Sequence, residues 1–105
     1  MNTPEHFQAL QELIRTVKVG DRIDLVDHDY YKHTGPRVVT GVTDEMLHTQ
    51  RTRNGVGSYM RWPTDGDPTQ DFEVEGRTLK IFNPKHAYVH GNRAIVLELT
   101  FHESE

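Results

Sequence analysis

The chain changes its hydrophobic period once, near residue 17. Up to that point Phe7, Leu10, Leu13, Ile14 and Val17 recur at three- and four-residue spacing, the stripe of an amphipathic helix. Thr3 offers an N-cap oxygen, Pro4 suits the first helical position, and Glu5 puts a carboxylate in the first turn. The spacing predicts a helix over 3–16 that packs its stripe on the rest of the domain. From Val17 the period becomes two. Val17, Val19, Ile23 and Leu25 fall on alternate positions, with a bend at Gly20-Asp21, and Arg22 and Asp24 point the other way, which reads as a half-exposed strand.

The polar stretch 27–36 (DHDYYKHTGP) then predicts a long loop, closed by Gly35-Pro36, before a second strand in PRVVTGVTD and a third in EMLHTQRTR. Asn54-Gly55 predicts a tight hairpin turn, because that pair accepts positive φ angles, and VGSYMRW returns from it. In the returning strand Val56, Ser58, Met60 and Trp62 form the core face, and Tyr59 and Arg61 point the other way. Pro63 ends it. The polar segment PTDGDPTQDFEVEG closes with a short strand at 72–74, and RTLKIF is another strand, broken by Asn83-Pro84. HAYVH, Gly91-Asn92 and RAIVLELTF predict a last hairpin, with Ile95, Leu97, Leu99 and Phe101 alternating cleanly.

A helix followed by five to seven short strands predicts a mainly β fold, α+β by element count. The expected layout is one domain over 1–105: helix at 3–16, a small antiparallel barrel or sandwich at 17–101, and a tail at 102–105. VKVGDRIDLV, the long loop, GPRVVTGV and the Asn-Gly hairpin together resemble the strand order of small SH3-like barrels, over residues 17–82. The resemblance implies a binding scaffold more than a catalytic one, which is fold analogy.

Composition narrows the function. Sixteen acidic against twelve basic residues, a net charge of −4, weigh against the whole chain acting as a phosphate-binding surface, while leaving room for a local basic patch. With no cysteine there is no disulfide framework, thiolate nucleophile or cysteine-based zinc site. No apolar run approaches a membrane span or a signal core. The expectation is a cytoplasmic protein with no membrane association.

Seven histidines raise the question of metal. There is no HExxH. His86 and His90 would share a helix face, but on a strand they lie about 13 Å apart, and the flanking residues favour a strand. His28 and His33 with Asp27 and Asp29 are the other grouping. The carboxylates Asp65, Asp67, Asp71, Glu73 and Glu75 depart from a calcium loop, with Thr69 at the third ligand position and Pro68 where the chain must turn. Ser58 is not in a G-x-S-x-G elbow, and no phosphate-binding glycine motif occurs. No cofactor, metal site or catalytic residue is assigned; a metal-assisted hydrolase using histidine and aspartate is the third reading.

Between Met46 and Trp62 there is no acidic residue, while Arg51, Arg53 and Arg61 accompany Tyr59 and Trp62. Arginine beside an exposed aromatic on a strand suits single-stranded DNA or RNA, although five carboxylates follow within fourteen residues and can neutralise the arginines. Protein binding is the leading expectation: a non-enzymatic binding or regulatory module, of the kind expected of a bacterial or phage accessory protein. Its expected surface is Tyr30, Tyr31, Arg51, Arg53, Tyr59 and Arg61, the two loop tyrosines giving rigid contact area. An open barrel also leaves edge strands able to pair with a partner or a second copy.

Overall fold

Helix α1 spans Pro4–Thr16 and buries the stripe foreseen for it. Leu10 and Leu13 are buried, and Phe7 and Ile14 pack against the same core. The Phe7 ring stands edge-on to Phe72 with centroids 5.2 Å apart. The structure, a computed structural model, describes residues 4–28, 33–53, 55–63, 71–83 and 94–103, with main chain only at 83 and 94–96.

Val17 closes the helix and does not open a strand. Its N–H reaches the carbonyls of Leu13 and Ile14, both at 3.2 Å, and its side chain joins the core. Val17 continues the helical stripe from Leu10 and Leu13, so its match to the period-two pattern is a coincidence of spacing. Gly20, at φ 98°, then reverses the chain. Val19 is left 64% exposed, outside the alternation expected of it.

Seven strands follow among the described residues: β1 (Arg22–Asp27), β2 (Gly35–Val42), β3 (Met46–Arg51), β4 (Gly57–Arg61), β5 (Asp71–Glu75), β6 (Thr78–Asn83) and β7 (Ala94–His102). They form one antiparallel sheet in the order β4-β3-β2-β1-β7-β6-β5, curled into a half-barrel. The chain steps outward from β1 to one edge, passes to the other edge, and returns to pair with β1 from its far side. The fold is therefore mainly β, as the turn spacing indicated. Among the described residues no helix is long and apolar enough to cross a membrane.

Register places the apolar alternation on the concave face. Ile23 lies between Arg37 and Phe101, and Leu25 between Gly35 and Leu99. Leu99 in turn faces Leu79, and Ile81 faces both Leu97 and Phe72. The apolar residues of these pairs, with Leu47 and Trp62, join the helix stripe in one core. A bulge at residue 40, between the pairs Val39–Thr49 and Gly41–His48, lets Val39 and Val42 both turn toward that core.

The two hairpins differ from each other. Glu75 pairs with Thr78, so Gly76-Arg77 is a two-residue turn, and Gly76 at φ 59° supplies the positive φ that a type II′ connection needs first. The β3–β4 connection is looser than the tight turn expected there. Arg51 N–H donates to Val56 O at 2.9 Å, enclosing a four-residue loop over 52–55, and Gly55 N–H donates to Arg51 O at 2.9 Å. Gly55 carries the positive φ, 71°; Asn54 lies outside the described residues, as does the HAYVH segment.

A buried polar tie joins four elements away from the open side. Asp21 is 2% exposed, and its Oδ2 accepts the Lys18 N–H at 2.9 Å. Arg77 lies 3.7 Å from the same oxygen, donates Nε–H to Phe101 O at 3.1 Å and Nη1–H to Thr16 Oγ1 at 3.0 Å. The end of α1, the start of β1, the β5–β6 turn and the end of β7 meet there.

Candidate functional site

Two surfaces carry chemistry beyond the core, and both are on the β2–β3–β4 side. The first is β4, an edge strand of the sheet. Its phase is fixed at both ends. Arg51 N–H bonds Val56 O, and Trp62 N–H bonds Glu45 O at 3.0 Å. Antiparallel ladders alternate hydrogen-bonded and open pairs. With the register Gln50–Gly57, Thr49–Ser58, His48–Tyr59, Leu47–Met60 and Met46–Arg61, Ser58 and Met60 exchange main-chain bonds with β3. The N–H and C=O groups of Gly57, Tyr59 and Arg61 then face outward from the sheet.

Those residues also carry the exposed side chains. Tyr59 is 70% exposed, and its ring lies 6.0 Å from that of His48. Arg61 is exposed on the same convex face, the pairing that alternation indicated. Trp62 anchors the end of the strand, buried and donating Nε1–H to Thr43 O at 2.9 Å. Met60 packs partly on the core, whereas Ser58 and Val56 on the same side are exposed. The core face of β4 is thus covered only toward Trp62.

The other expected surface residues are spread apart. Arg53 is exposed in the β3–β4 loop, while Arg51 follows Leu47 and Thr49 onto the concave side and is half-buried. Tyr30 and Tyr31 lie outside the described residues.

The second surface is the polar end of the concave face, and its key residue is one the sequence reading passed over. Arg37 shares the parity of Val39 in PRVVTGVTD, so alternation alone would have turned it inward. It is 5% exposed. Its Nη1–H groups donate to Ser58 Oγ at 2.7 Å and Thr49 Oγ1 at 3.5 Å, and Nη2–H to His33 O at 3.3 Å. Its Nε–H meets no acceptor among the described residues. Burial pushes the guanidinium below its ordinary pKa; the charge of Arg51 adds to this, and Asp27 works against it. Arg51 sits directly opposite Arg37 in the β2–β3 ladder. Asp27 Oδ2 lies 3.0 Å from His33 Nδ1.

Three of the described histidines lie beside carboxylates: His33 beside Asp27, His28 beside Glu98 at 3.4 Å, and His102 beside Asp24 at 2.9 Å. No group of three or more potential metal ligands occurs among the described residues; His86 and His90 lie outside them. No family model, curated protein or solved structure matches the chain.

Proposed function

We propose that the chain is a non-enzymatic binding module that takes an extended segment of a protein partner as an additional strand along β4. The observation that supports this best is the coincidence on one edge of outward main-chain groups and outward side chains. Gly57, Tyr59 and Arg61 offer both hydrogen-bonding capacity and, at two of the three positions, an exposed aromatic or cationic side chain. Strand addition uses main-chain bonds for affinity and alternate side chains for selectivity. Sheet edges are commonly guarded by lysine, proline or a bulge, and Gly57–Arg61 holds neither of those residues, nor an acidic one. The SH3-like strand pattern fits the same use, a small scaffold that binds and does not catalyse. A cytoplasmic accessory or regulatory role follows from this reading.

The test starts from a partner captured from nuclease-treated lysate of the source organism, identified, purified and titrated calorimetrically. Gly57→Pro and Tyr59→Pro remove outward N–H groups, and Gly57→Ala does not; a Cβ at Gly57 makes only ordinary contact with Thr49 O at 3.7 Å. The expected result is at least an about tenfold loss of affinity in each proline variant with the fold retained by circular dichroism, and little change in Gly57→Ala. Equal affinity in all three overturns strand addition. Capture abolished by nuclease transfers the reading to single-stranded DNA or RNA on Tyr59 and the arginines. A partner that proves to be a second copy appears as a proline-sensitive dimer in light scattering.

A further inference from the structure

We propose that the strand accepted along β4 is an acidic one that alternates with apolar residues. Its carboxylates lie on the convex side, across from Arg61 and beside Tyr59, and its apolar side chains lie on the concave side, against Met60 and Val56. The inference rests on the strand-addition reading above and names the chemistry of the partner.

Charge selects an acidic guest. No acidic residue occurs between Met46 and Trp62, which takes in all of β3, β4 and their connection. Arg53 and Arg61 are exposed, and neither forms an ion pair among the described residues. The carboxylates that could have neutralised them are elsewhere. Asp71, Glu73 and Glu75 are on β5, at the opposite edge of the sheet. Asp44 and Glu45, in the β2–β3 turn, are exposed and pair with neither arginine. The β4 edge therefore carries positive charge that an incoming strand can complement.

Geometry sets the alternation. A guest antiparallel to β4, like every described pair of the sheet, exchanges main-chain bonds with Gly57, Tyr59 and Arg61. The guest residues that do so point to the convex face. Their Cβ atoms come within about 5.5 Å of those of β4, where an opposite charge directly across is stabilising. The guest residues opposite Ser58 and Met60 point to the concave face. There Val56 is 57% exposed and Met60 is only partly buried, so apolar guest side chains extend the core beyond Trp62. A nucleic acid brings negative charge but neither the alternating N–H and C=O groups nor the inward apolar side chains. The other edge of the sheet is built in this way already. In β5 (DFEVE), Glu73 stands directly across from Lys80, and Glu75 Oε2 lies 3.0 Å from Lys80 Nζ. Phe72 and Val74 of the same strand pack on the core.

The experiment uses the intact chain labelled with 15N and titrated with the end-capped synthetic peptide TEVEVEVT at constant ionic strength. The controls are TKVKVKVT, of opposite charge, and TEEEVVVT, of the same charge without the alternation. The amides of Gly57, Tyr59 and Arg61 report directly. The expected result is a saturable shift with TEVEVEVT and at least about tenfold weaker binding of both controls. Arg61→Glu, a change at an exposed side chain, should reverse the order of TEVEVEVT and TKVKVKVT. Equal affinity for those two peptides, lost in Gly57→Pro, overturns the acidic preference and leaves strand addition standing. Equal affinity for TEVEVEVT and TEEEVVVT, unaffected by Gly57→Pro, shows attraction by charge alone and overturns both. No saturable shift with TEVEVEVT overturns the proposal, while proline-sensitive binding of a captured partner would still uphold strand addition. A single-stranded oligonucleotide that binds the same amides more tightly than TEVEVEVT, with no loss in Gly57→Pro, overturns it in favour of nucleic acid.

Discussion

Proline at Met60 and proline at Tyr59 test the ladder phase on which the edge argument depends. The two positions are adjacent on β4, yet the phase gives them opposite roles. Met60 N–H donates to the carbonyl of Leu47, its partner in the register, and Leu47 is wholly buried. Proline at 60 removes that bond and leaves a buried carbonyl without its donor, at about 1–3 kcal/mol. The loss of a ladder bond in the middle of a pair adds about 1 kcal/mol more. Measured against Met60→Ala, which removes the same half-buried side chain, Met60→Pro should cost about 3 kcal/mol. Tyr59 N–H faces outward, where proline is tolerated in edge strands. Against Tyr59→Ala, Tyr59→Pro should cost no more than about 1 kcal/mol, partly offset by a stiffer unfolded chain. Urea denaturation followed by tryptophan fluorescence reads both, since Trp62 is the sole tryptophan and is buried beside the end of β4. A Tyr59→Pro cost that equals or exceeds the Met60→Pro cost would show that the ladder is out of phase by one residue. Gly57, Tyr59 and Arg61 would then no longer be the outward set.

Further outcomes follow from the packing. Leu99→Ala, at a wholly buried position between Leu25 and Leu79, should lose about 2–5 kcal/mol in urea unfolding. Arg77→Met should lose about 2 kcal/mol, since it removes bonds to Phe101 O and Thr16 Oγ1 and a cation beside buried Asp21; the 3.7 Å separation and the partial exposure of Arg77 keep the figure below that of a fully buried pair. The double variant with Asp21→Asn should cost less than the sum of the two single changes. Gly76→Ala, at φ 59° with open space around a new Cβ, should cost about 1–2 kcal/mol from backbone conformation alone, read as a lowered urea midpoint at unchanged slope. Arg37→Met should leave stability within about 1 kcal/mol of wild type or raise it, and a larger loss would mean that the fold needs the charge.

Much of the architecture was legible because the chain is written in two clear periods. The helical stripe at Leu10 and Leu13, and the alternation at Leu97, Leu99 and Phe101, each matched the surface they bury. The errors fell where two patterns overlap. Val17 satisfies both a seven-residue helical step from Leu10 and a two-residue step to Val19, and only the hydrogen bonds to Leu13 and Ile14 decide between them. The Asn-Gly pair identified the β3–β4 hairpin but not its length, because loop size depends on which main-chain groups close it, at Arg51 and Val56. On β4 the side-chain phase could be read from VGSYMRW. The main-chain phase could not, since alternation does not say which pairs bond.

Arg37 shows why the concave site escaped a reading that treated charged residues as surface. The sequence places it beside valines in an inward phase, and that parity was its only signal. Its local interactions do not require an arginine. Thr49 Oγ1 and Ser58 Oγ lie 3.2 Å apart, close enough to satisfy each other without it. Arg77 is different. It donates to a main-chain carbonyl and a helix-terminal hydroxyl and faces a buried carboxylate, so one side chain ties together four elements at that corner. A hydrophobic side chain in place of Arg77 would leave Asp21 buried beside fewer donors, whereas one in place of Arg37 would remove a desolvated cation and its repulsion from Arg51. Each of the two arginines keeps one buried N–H without an acceptor among the described residues, but Arg77 stands beside a buried carboxylate, whereas the hydrogen bonds of Arg37 among the described residues go to two hydroxyls and a carbonyl.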